Sequence, residues 1–426
     1  MYRGKLARAL VSAAAAISIT VALGGTVFAE ETGPVTLKWA LWDLDKVAYY
    51  KPLITAYQGK HPNVTIEPLD LGSQDYTQMI ATQLTGGAKD IDVVTIKDVP
   101  GYATLVKAGS VGDLSGFIAE QKIDKAGYGG LIEELTLDNK VYALPFRSDI
   151  WVVYYNKDIF DKAKQPYPTN DMTWADFDRT AEALKGGMGV NKTYGALLHT
   201  WRSTVQLPGI MDGKHTLVGG DYAFLKPWYE RALKLQKNGA IPSYASLKTS
   251  NTHYSALFFN GTVGMLPMGT WFVATQIAKV KSGESKSKNW GIVKFPHPEG
   301  VAAGTTAAQI AALSVNSNSA HKDTALDFIK FVTGPEGAAI IADTGTLPAL
   351  RNDGVTAKIA ALPGFPQDEN SKAALSAQKS YLEMAVNPNA AKIEVVLNRV
   401  HDAIMTDNES IDDGLKDMDD GVKAIK

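Results

Sequence analysis

Val35-Thr-Leu-Lys-Trp-Ala-Leu41 and Ile91-Asp-Val-Val-Thr-Ile96 bound the stretch of sequence that decides the fold. Both runs are rich in the β-branched and apolar residues of strands. The second is nearly continuous in them, as in parallel strands that are covered on both faces. Between the runs lie a helical pattern after Trp42, a short strand at Val64-Thr-Ile66 and a second helical pattern that ends at Gly86-Gly87. This alternation of strands and helices predicts an α/β unit with a parallel sheet.

A second block of the same kind begins at Trp151-Val-Val-Tyr-Tyr155. Thr173 and Asp176 form a capping-box pattern, which predicts the start of a helix. Further on, residues 310–315 read as a strand, and the segment from Ser371 to the end reads as largely helical. Two α/β blocks in a chain of 426 residues predict two domains of ordinary size.

The first 29 residues have the composition of an export signal. Basic side chains lie within the first eight positions, residues 10–23 are apolar and uncharged, and a small-residue cleavage pattern ends at Ala29. The apolar stretch is shorter than the roughly 20 residues that a membrane span needs. We therefore predict a signal peptide over residues 1–29 and an exported mature chain.

Composition excludes several classes of protein. The chain has 43 Lys and Arg against 45 Asp and Glu, a formal net charge of −2, and no basic stripe. Nucleic-acid binding depends on clustered Lys and Arg, so we expect no nucleic-acid partner. The absence of cysteine excludes disulfides, cysteine-zinc sites, iron–sulfur clusters and thiol catalysis.

Motifs of catalysis and metal binding are also missing. The sequence contains no GxSxG elbow, Walker A loop, HExxH pair or GxGxxG turn. The seven histidines are scattered and never stand four residues apart, so we expect no metal site, no cofactor and no catalytic residue. A pair of carboxylates that hydrolyses glycosides is not excluded, because 45 acidic residues offer many pairs.

Aromatic residues stand where an α/β sheet opens onto ligand. Trp42 and Asp43 directly follow the first strand, and Asp98 follows the third. Ligands of open α/β sheets bind at the carboxyl ends of strands. A sugar needs flat aromatic surfaces for its apolar faces and paired polar side chains for its hydroxyl groups. Trp39 and Trp290 lie inside predicted strands and are expected in the core.

Five segments in order along the chain resemble one known family. They are Val141-Tyr-Ala-Leu-Pro-Phe-Arg147, Tyr154-Tyr-Asn-Lys-Asp-Ile-Phe160, Trp174-Ala-Asp-Phe177, Phe258-Phe-Asn-Gly-Thr-Val-Gly-Met-Leu-Pro-Met-Gly-Thr-Trp271 and Ala325-Leu-Asp-Phe-Ile-Lys-Phe-Val-Thr-Gly-Pro-Glu-Gly337. The family is that of the extracellular solute-binding proteins of carbohydrate ABC importers, which contains the maltose-binding proteins. The resemblance extends across nearly the whole mature chain.

The resemblance implies an α/β, two-lobed periplasmic-binding-protein fold of type II, with the ligand cleft between the lobes. It implies that the lobes are joined by a three-crossing hinge, with crossings near residues 146–149, 293–297 and 342–348. Each lobe is then discontinuous. The expected N-lobe is 30–146 plus 296–343, and the expected C-lobe is 147–295 plus 344–426.

The implied function is that of a receptor without enzymatic activity. It would capture a di- or oligosaccharide between the lobes, close around it and deliver it to the permease subunits of an ABC importer. The many aromatic residues favour an oligosaccharide over a monosaccharide, because each stacked ring needs its own platform. We expect a monomer that is exported to the periplasm, to the extracellular space or to the cell envelope.

Carried over residue by residue, the resemblance implies a set of ligand contacts. Trp271 matches the aromatic platform of the second lobe, and Trp201 and Arg202 follow a strand that begins at Tyr194. The expected ligand-binding residues are Trp42, Asp43, Asp98, Arg147, Asp149, Trp201, Arg202, Trp271, Gln309 and Arg351.

The sequence departs from the family pattern at one point. Members from Gram-positive bacteria usually end the leader with a lipobox cysteine, and no cysteine occurs here. A lipid anchor is therefore not expected. Two alternatives remain: a secreted carbohydrate-active enzyme that uses an acid pair, and the same fold binding a non-sugar solute such as a polyamine or ferric ion. The adjacent tyrosines Tyr49-Tyr50 and Tyr154-Tyr155 would suit iron, although packing is the expected role of both pairs.

Overall fold

The computed structural model describes residues 33–425 except residues 46, 73–75 and 352. The predicted signal peptide, residues 1–29, lies outside the described residues. The strands are β1 Val35–Leu41, β2 Val64–Asp70, β3 Val93–Ile96, β4 Thr136–Leu137, β5 Lys140–Val141, β6 Leu144–Asn156, β7 Tyr194–Ala196, β8 Val263–Gly269, β9 Trp290–Lys294, β10 Thr305–Val315 and β11 Lys379–Leu382.

The α-helices are numbered in the same way. They are α1 Tyr50–Lys60, α2 Tyr76–Thr85, α3 Val99–Lys107, α4 Ser115–Glu120, α5 Leu131–Glu134, α6 Lys157–Ala163, α7 Trp174–Leu184, α8 Ser203–Gln206, α9 Lys226–Lys237, α10 Tyr244–Thr249, α11 Ala256–Phe259, α12 Phe272–Ser282, α13 Lys322–Thr333, α14 Pro335–Asp343, α15 Asp353–Ala360, α16 Glu369–Ala373, α17 Ala390–Met405 and α18 Ile411–Lys423. No helix in this part of the chain is both long and apolar enough to cross a membrane.

One mixed sheet of nine strands runs through the molecule. Its order is β2-β1-β3-β10-β6-β8-β7, with β11 also paired to β10 and β9 also paired to β6. Strands β1, β2 and β3 are parallel, which confirms the prediction made for residues 35–96. Strand β10 enters antiparallel to β3, so the remote segment predicted as a strand completes this first half of the sheet.

Strand β6 belongs to both halves of the sheet. Its first part pairs with β10, and residues 151–156 pair with β8 and β9. A third segment lies beside it, where the Ser148 N–H donates to the Leu347 carbonyl and the Ala349 N–H donates to the Phe146 carbonyl. Strand β10 and residues 347–349 therefore flank β6 at its midpoint, residues 146–149. We call this region the junction.

The sheet is covered on both faces. Along β6, Val152 and Tyr154 pack into one hydrophobic core, whereas Trp151 and Val153 pack into the other. This alternation follows from the pleat, which points successive side chains to opposite faces. Both tyrosine pairs and the strand residues Trp39 and Trp290 are buried, and the core positions predicted for the two tryptophans are confirmed.

Local signals in the sequence had mixed success. The Thr173 hydroxyl accepts from the Asp176 N–H while the Asp176 carboxylate accepts from the Thr173 N–H, so the predicted capping box is confirmed. The largely helical prediction from Ser371 onward missed strand β11. This short strand forms because Thr305 to Ala308 of β10 offer it a pairing edge, which is a tertiary effect that periodicity does not carry.

Gly195 in β7 allows a close approach between the strand and helix α7. A Cβ atom at this position would overlap the Ala181 backbone carbonyl. We expect Gly195→Ala to lower the free energy of unfolding by about 1–3 kcal/mol, because a backbone atom cannot move aside cheaply. Urea denaturation measures this difference. The matched control is Gly116→Ala in α4, where a Cβ atom meets nothing within 4 Å. Equal midpoints for the two variants would contradict the close approach.

Candidate ligand-binding site

A cavity of about 1060 Å³ lies between the two halves of the sheet. The first half contributes the start of α3 and Thr77 of α2. The second contributes Trp151 of β6, the loop after β7 with the start of α8, the end of α10 with the segment before α11, and Trp271 after β8. Strand β10, the end of β11 and α17 supply the rest. Small-molecule sites usually measure about 300–1,000 Å³, so the cavity is large enough for a ligand of several rings.

Four aromatic side chains form one side of the cavity, and we call them the aromatic wall. They are Trp151, Trp201, Tyr254 and Trp271. The ring centroids of Trp201 and Trp271 lie 6.3 Å apart, those of Trp201 and Tyr254 lie 5.5 Å apart, and those of Trp151 and Trp271 lie 5.7 Å apart. Trp201 is 39% exposed, which is high for so large an apolar side chain. Part of the Trp201 ring is therefore left uncovered where it lines the cavity.

A glycine sets the position of Trp271. A Cβ atom on Gly269, the last residue of β8, would overlap the Trp271 ring, so the indole rests directly on the backbone of that strand. Its edge is packed against Trp151. The β8–β6 pairing, in which Gly269 is opposite Trp151, therefore holds the Trp271 indole in place.

A buried ion pair lies beside the aromatic wall. The Nε atom of Arg202 lies 3.1 Å from each carboxylate oxygen of Glu394, and its Nη2 donates to the same group. The Nη1 atom donates to Gln206 at 3.2 Å. Only 5% of the Arg202 side chain is exposed, against 28% for Glu394. The guanidinium is thus fixed in orientation by its fork of contacts.

Glu383 follows β11 and places a second carboxylate in the cavity. It accepts a hydrogen bond from the Trp151 indole N–H and another from the Ser203 hydroxyl at 3.2 Å. Burial raises the pKa of Glu383 to about 7; the two donors and the Arg202 charge act in the opposite direction.

The Asp98 carboxylate is held by hydrogen bonds within the protein. Its carboxylate caps α3 by accepting from the Gly101 N–H at 2.7 Å, and it accepts from the Thr77 hydroxyl at 3.1 Å. Burial raises the pKa of Asp98 against the effect of these donors. His199 also lines the cavity, edge-on to Trp201 at 4.6 Å, and burial lowers the pKa of His199 to about 4. It is therefore neutral at physiological pH.

A family model agrees with this architecture. The model of the bacterial extracellular solute-binding proteins matches residues 42–339, well over half of the chain. The chain belongs to this family. The resemblance drawn from the five segments is thereby confirmed. The family consists of binding proteins rather than enzymes, and its name places it outside the cytoplasm.

Three relatives of this solute-binding protein are informative. A sugar transporter from Rhizobium etli, solved in an open conformation, is 81% identical; the match covers 92% of this chain and 100% of that one, with a TM-score of 0.84. The lactose-binding protein of Rhizobium radiobacter is 28% identical over 75% of this chain and 74% of its own length. An ABC substrate-binding protein of Listeria monocytogenes in complex with cycloalternan, 20% identical, covers 91% of this chain and 98% of that chain with a TM-score of 0.77. The predicted two-lobed α/β fold class is confirmed.

Half of the predicted ligand contacts of this solute-binding protein line the cavity. Asp98, Trp201, Arg202, Trp271 and Gln309 meet there although they come from four separate parts of the chain. Their contact with ligand stays a prediction. These five residues were predicted from strand ends and from the family resemblance, and the fold places them around one cavity.

The first-strand pair lies apart from the lining of this cavity. Trp42 is only 6% exposed and packs edge-on against Tyr50 and Tyr76. The Asp43 N–H donates to Asp70 at 2.9 Å. Trp42 is therefore part of the hydrophobic core beside strands β1 to β3.

Arg147, Asp149 and Arg351 lie at the junction, and we call them the junction cluster. The Arg147 Nε lies 2.9 Å from the Asp149 Oδ2, an ion pair in which neither atom makes a hydrogen bond. The Asp149 Oδ1 accepts from the Thr270 hydroxyl at 3.0 Å, and Arg351 donates to the Ser148 carbonyl at 2.6 Å. Burial raises the pKa of Asp149 in spite of Arg147. The cluster connects β6 with Thr270, directly after β8, and with the segment of residues 347–351.

Sequence reasoning missed several lining residues of the solute-binding protein. Glu383 and Glu394 fell in the region read as helical, and Tyr254 stands in a loop without a motif. Trp151 was used only as the start of a strand. Recognition of β11 would have placed Glu383 at a strand end and so among the candidates.

Proposed function

We propose that the protein is the exported receptor of an ABC importer and captures a di- or oligosaccharide between its two lobes. The observation that carries the proposal is the aromatic wall, which lines one cavity together with the partly buried carboxylates of Glu383 and Glu394. Apolar sugar faces stack on indole rings, and sugar hydroxyl groups donate to carboxylates. The sugar named in the relatives' descriptions supports the same ligand class.

The cavity's position supports capture by closure. Thr77 and Asp98 come from the first half of the sheet, whereas Trp201 and Trp271 come from the second, so separation of the halves would divide the lining. Ligand contacts made with both halves favour the closed state by the difference in affinity between closed and open forms. The lobe boundaries given above, the permease as partner, the monomeric state and the absence of enzymatic activity belong to this proposal.

A thermal-shift screen tests the ligand class. We expect at least one of lactose, maltose and mannotriose to raise the unfolding midpoint, because binding to the native state alone adds about 2.7 kcal/mol at a hundredfold excess over Kd. Mannitol, a linear polyol without a ring face, is the matched control and should raise it less. No shift from any saccharide at millimolar concentration would overturn the sugar assignment.

The same incubations test the enzymatic alternative. Recovery of the saccharide unchanged after incubation with micromolar protein is the result that we expect of a receptor. Release of monosaccharide or turnover of a fluorogenic glycoside would instead identify a carbohydrate-active enzyme with an acid pair.

A further inference from the structure

Glu383 is held rigidly by its backbone and by its carboxylate. The Glu383 N–H donates to the Ala308 carbonyl of β10 at 3.0 Å, which continues the pairing of β11 by one residue. The Trp151 indole donates to one carboxylate oxygen and the Ser203 hydroxyl to the other. The orientation of the carboxylate is therefore set before any ligand arrives.

This carboxylate keeps unused acceptor capacity. An ionised carboxylate offers about four lone-pair sites, and the Trp151 and Ser203 donors occupy one on each oxygen. The residue lines the cavity and is partly accessible even though its carboxylate is deeply enclosed. Its side chain thus borders the space in which a ligand would lie, and it also lines a smaller cavity of about 320 Å³.

The other lining acids of the cavity have protein partners. Glu394 is paired with Arg202, and Asp402 lies 2.9 Å from the Lys248 Nζ. Asp98 caps a helix. Glu383 differs from Glu394 and Asp402 because the two groups that donate to it, an indole and a hydroxyl, are uncharged, and it differs from Asp98 because it caps no helix.

Charge in the lining is unbalanced. The ionisable lining residues are Asp98, Glu383, Glu394, Asp402, Arg202, Lys248, His199 and His253. Burial lowers the pKa of both histidines, so they carry no charge near neutral pH. Above pH 7, where Glu383 is also ionised, four acids face two bases, and the excess of negative charge opposes an anionic ligand.

We propose that Glu383 determines the ligand specificity of the cavity: its carboxylate accepts hydrogen bonds from hydroxyl groups of an uncharged sugar and disfavours sugars that carry an acidic group. The inference rests on the proposed function and names the residue that discriminates between ligands. A carboxylate with donors already on both oxygens presents its remaining lone pairs in fixed directions, which suits a pair of neighbouring hydroxyl groups.

This role of Glu383 should make the affinity for the ligand depend on pH. Burial raises the pKa of Glu383 to about 7, and the groups that face it are Trp151, Ser203, Arg202 and Glu394. Hydroxyl groups that donate to the ionised form lower its pKa in the complex. By linkage, affinity is full above pH 7 and falls as the pH drops below it, by up to about tenfold per pH unit.

The test measures Kd by calorimetry between pH 5.5 and 8.0, with whichever of lactose, maltose and mannotriose gives the largest thermal shift. We expect the wild-type Kd to rise by about tenfold toward the acidic end, and Glu383→Gln to bind more weakly with a flat profile. Asp402→Asn, which removes another lining acid, is the matched control and should keep the slope. A wild-type Kd that does not change with pH would overturn the role of Glu383.

A second variant covers the case in which Glu383→Gln fails to fold. Ser203→Ala removes one donor to the ionised carboxylate and should therefore move the midpoint of the affinity profile to higher pH. An unmoved midpoint would contradict the proposal. A disaccharide that contains glucuronic acid should bind at least tenfold more weakly than the neutral sugar; equal affinity would overturn the selection against acidic sugars. If no saccharide binds at all, the proposed function fails instead, and the two failures are distinct.

Discussion

Asp149→Asn should lower the free energy of unfolding by about 3–5 kcal/mol, because it leaves the guanidinium of Arg147 buried without its counterion. The Asp149 side chain has no solvent exposure and that of Arg147 has 15%. Arg351 adds a second, partly buried positive charge nearby. Urea denaturation, read by tryptophan fluorescence and by circular dichroism, gives the free energy if the two probes coincide.

The control is the same substitution in an exposed pair. Asp412 lies 2.6 Å from the Lys226 Nζ, but 72% of its side chain is exposed. Exposed pairs contribute about 0–1 kcal/mol, so Asp412→Asn should leave the unfolding midpoint nearly unchanged. The double variant Arg147→Met with Asp149→Leu should recover much of the stability, because no unpaired charge then remains between these positions. Equal destabilisation by the single and double variants would show that packing, rather than charge, holds the junction.

Trp271→Ala should raise the Kd for the saccharide found in the thermal-shift screen by about 30-fold or more. Truncation of a central aromatic anchor typically costs about 2–4 kcal/mol of binding free energy. Trp271 touches both Trp151 and Trp201, so its loss removes the middle of the aromatic wall. Calorimetry of the folded variant measures the effect.

Trp228→Ala is the matched control for this truncation. Trp228 is also partly buried and packs against Trp174 at 6.3 Å, but it does not line the cavity. Its truncation should reduce stability and leave the Kd within about twofold, since a distant core residue contributes no ligand contact. If Trp271→Ala keeps the wild-type Kd, the sugar ring stacks elsewhere on the wall.

The fold was predictable where local patterns and tertiary structure agree. The runs at residues 35–41 and 91–96 are rich in apolar and β-branched residues because the sheet is covered on both faces, and the sequence pattern shows this. Strand β11 was missed because its pairing partner lies more than 70 positions upstream in β10. A four-residue strand has too little pattern of its own to reveal such a contact.

The site was predictable in part for a similar reason. Trp201 follows a strand end and Trp271 stands in a family motif, and both signals are local. For a charged residue, sequence does not show which neighbour pairs with it. Asp149 was expected at the first crossing as a ligand contact; its carboxylate contacts Arg147 and Thr270 there, and its contact with ligand stays a prediction.

The pairing of β3 with β10 has a consequence for the order in which the chain folds. Val93 is opposite Val315, so synthesis passes through the whole second block before the partner of β3 exists. Contacts so distant in sequence form slowly, since a long loop must close first. Until residues 305–315 arrive, β3 presents an unpaired edge, and such edges are where nascent chains aggregate or are bound by chaperones. Because β3 pairs with β10 late, the nascent chain stays incompletely folded until residues 305–315 have been synthesised.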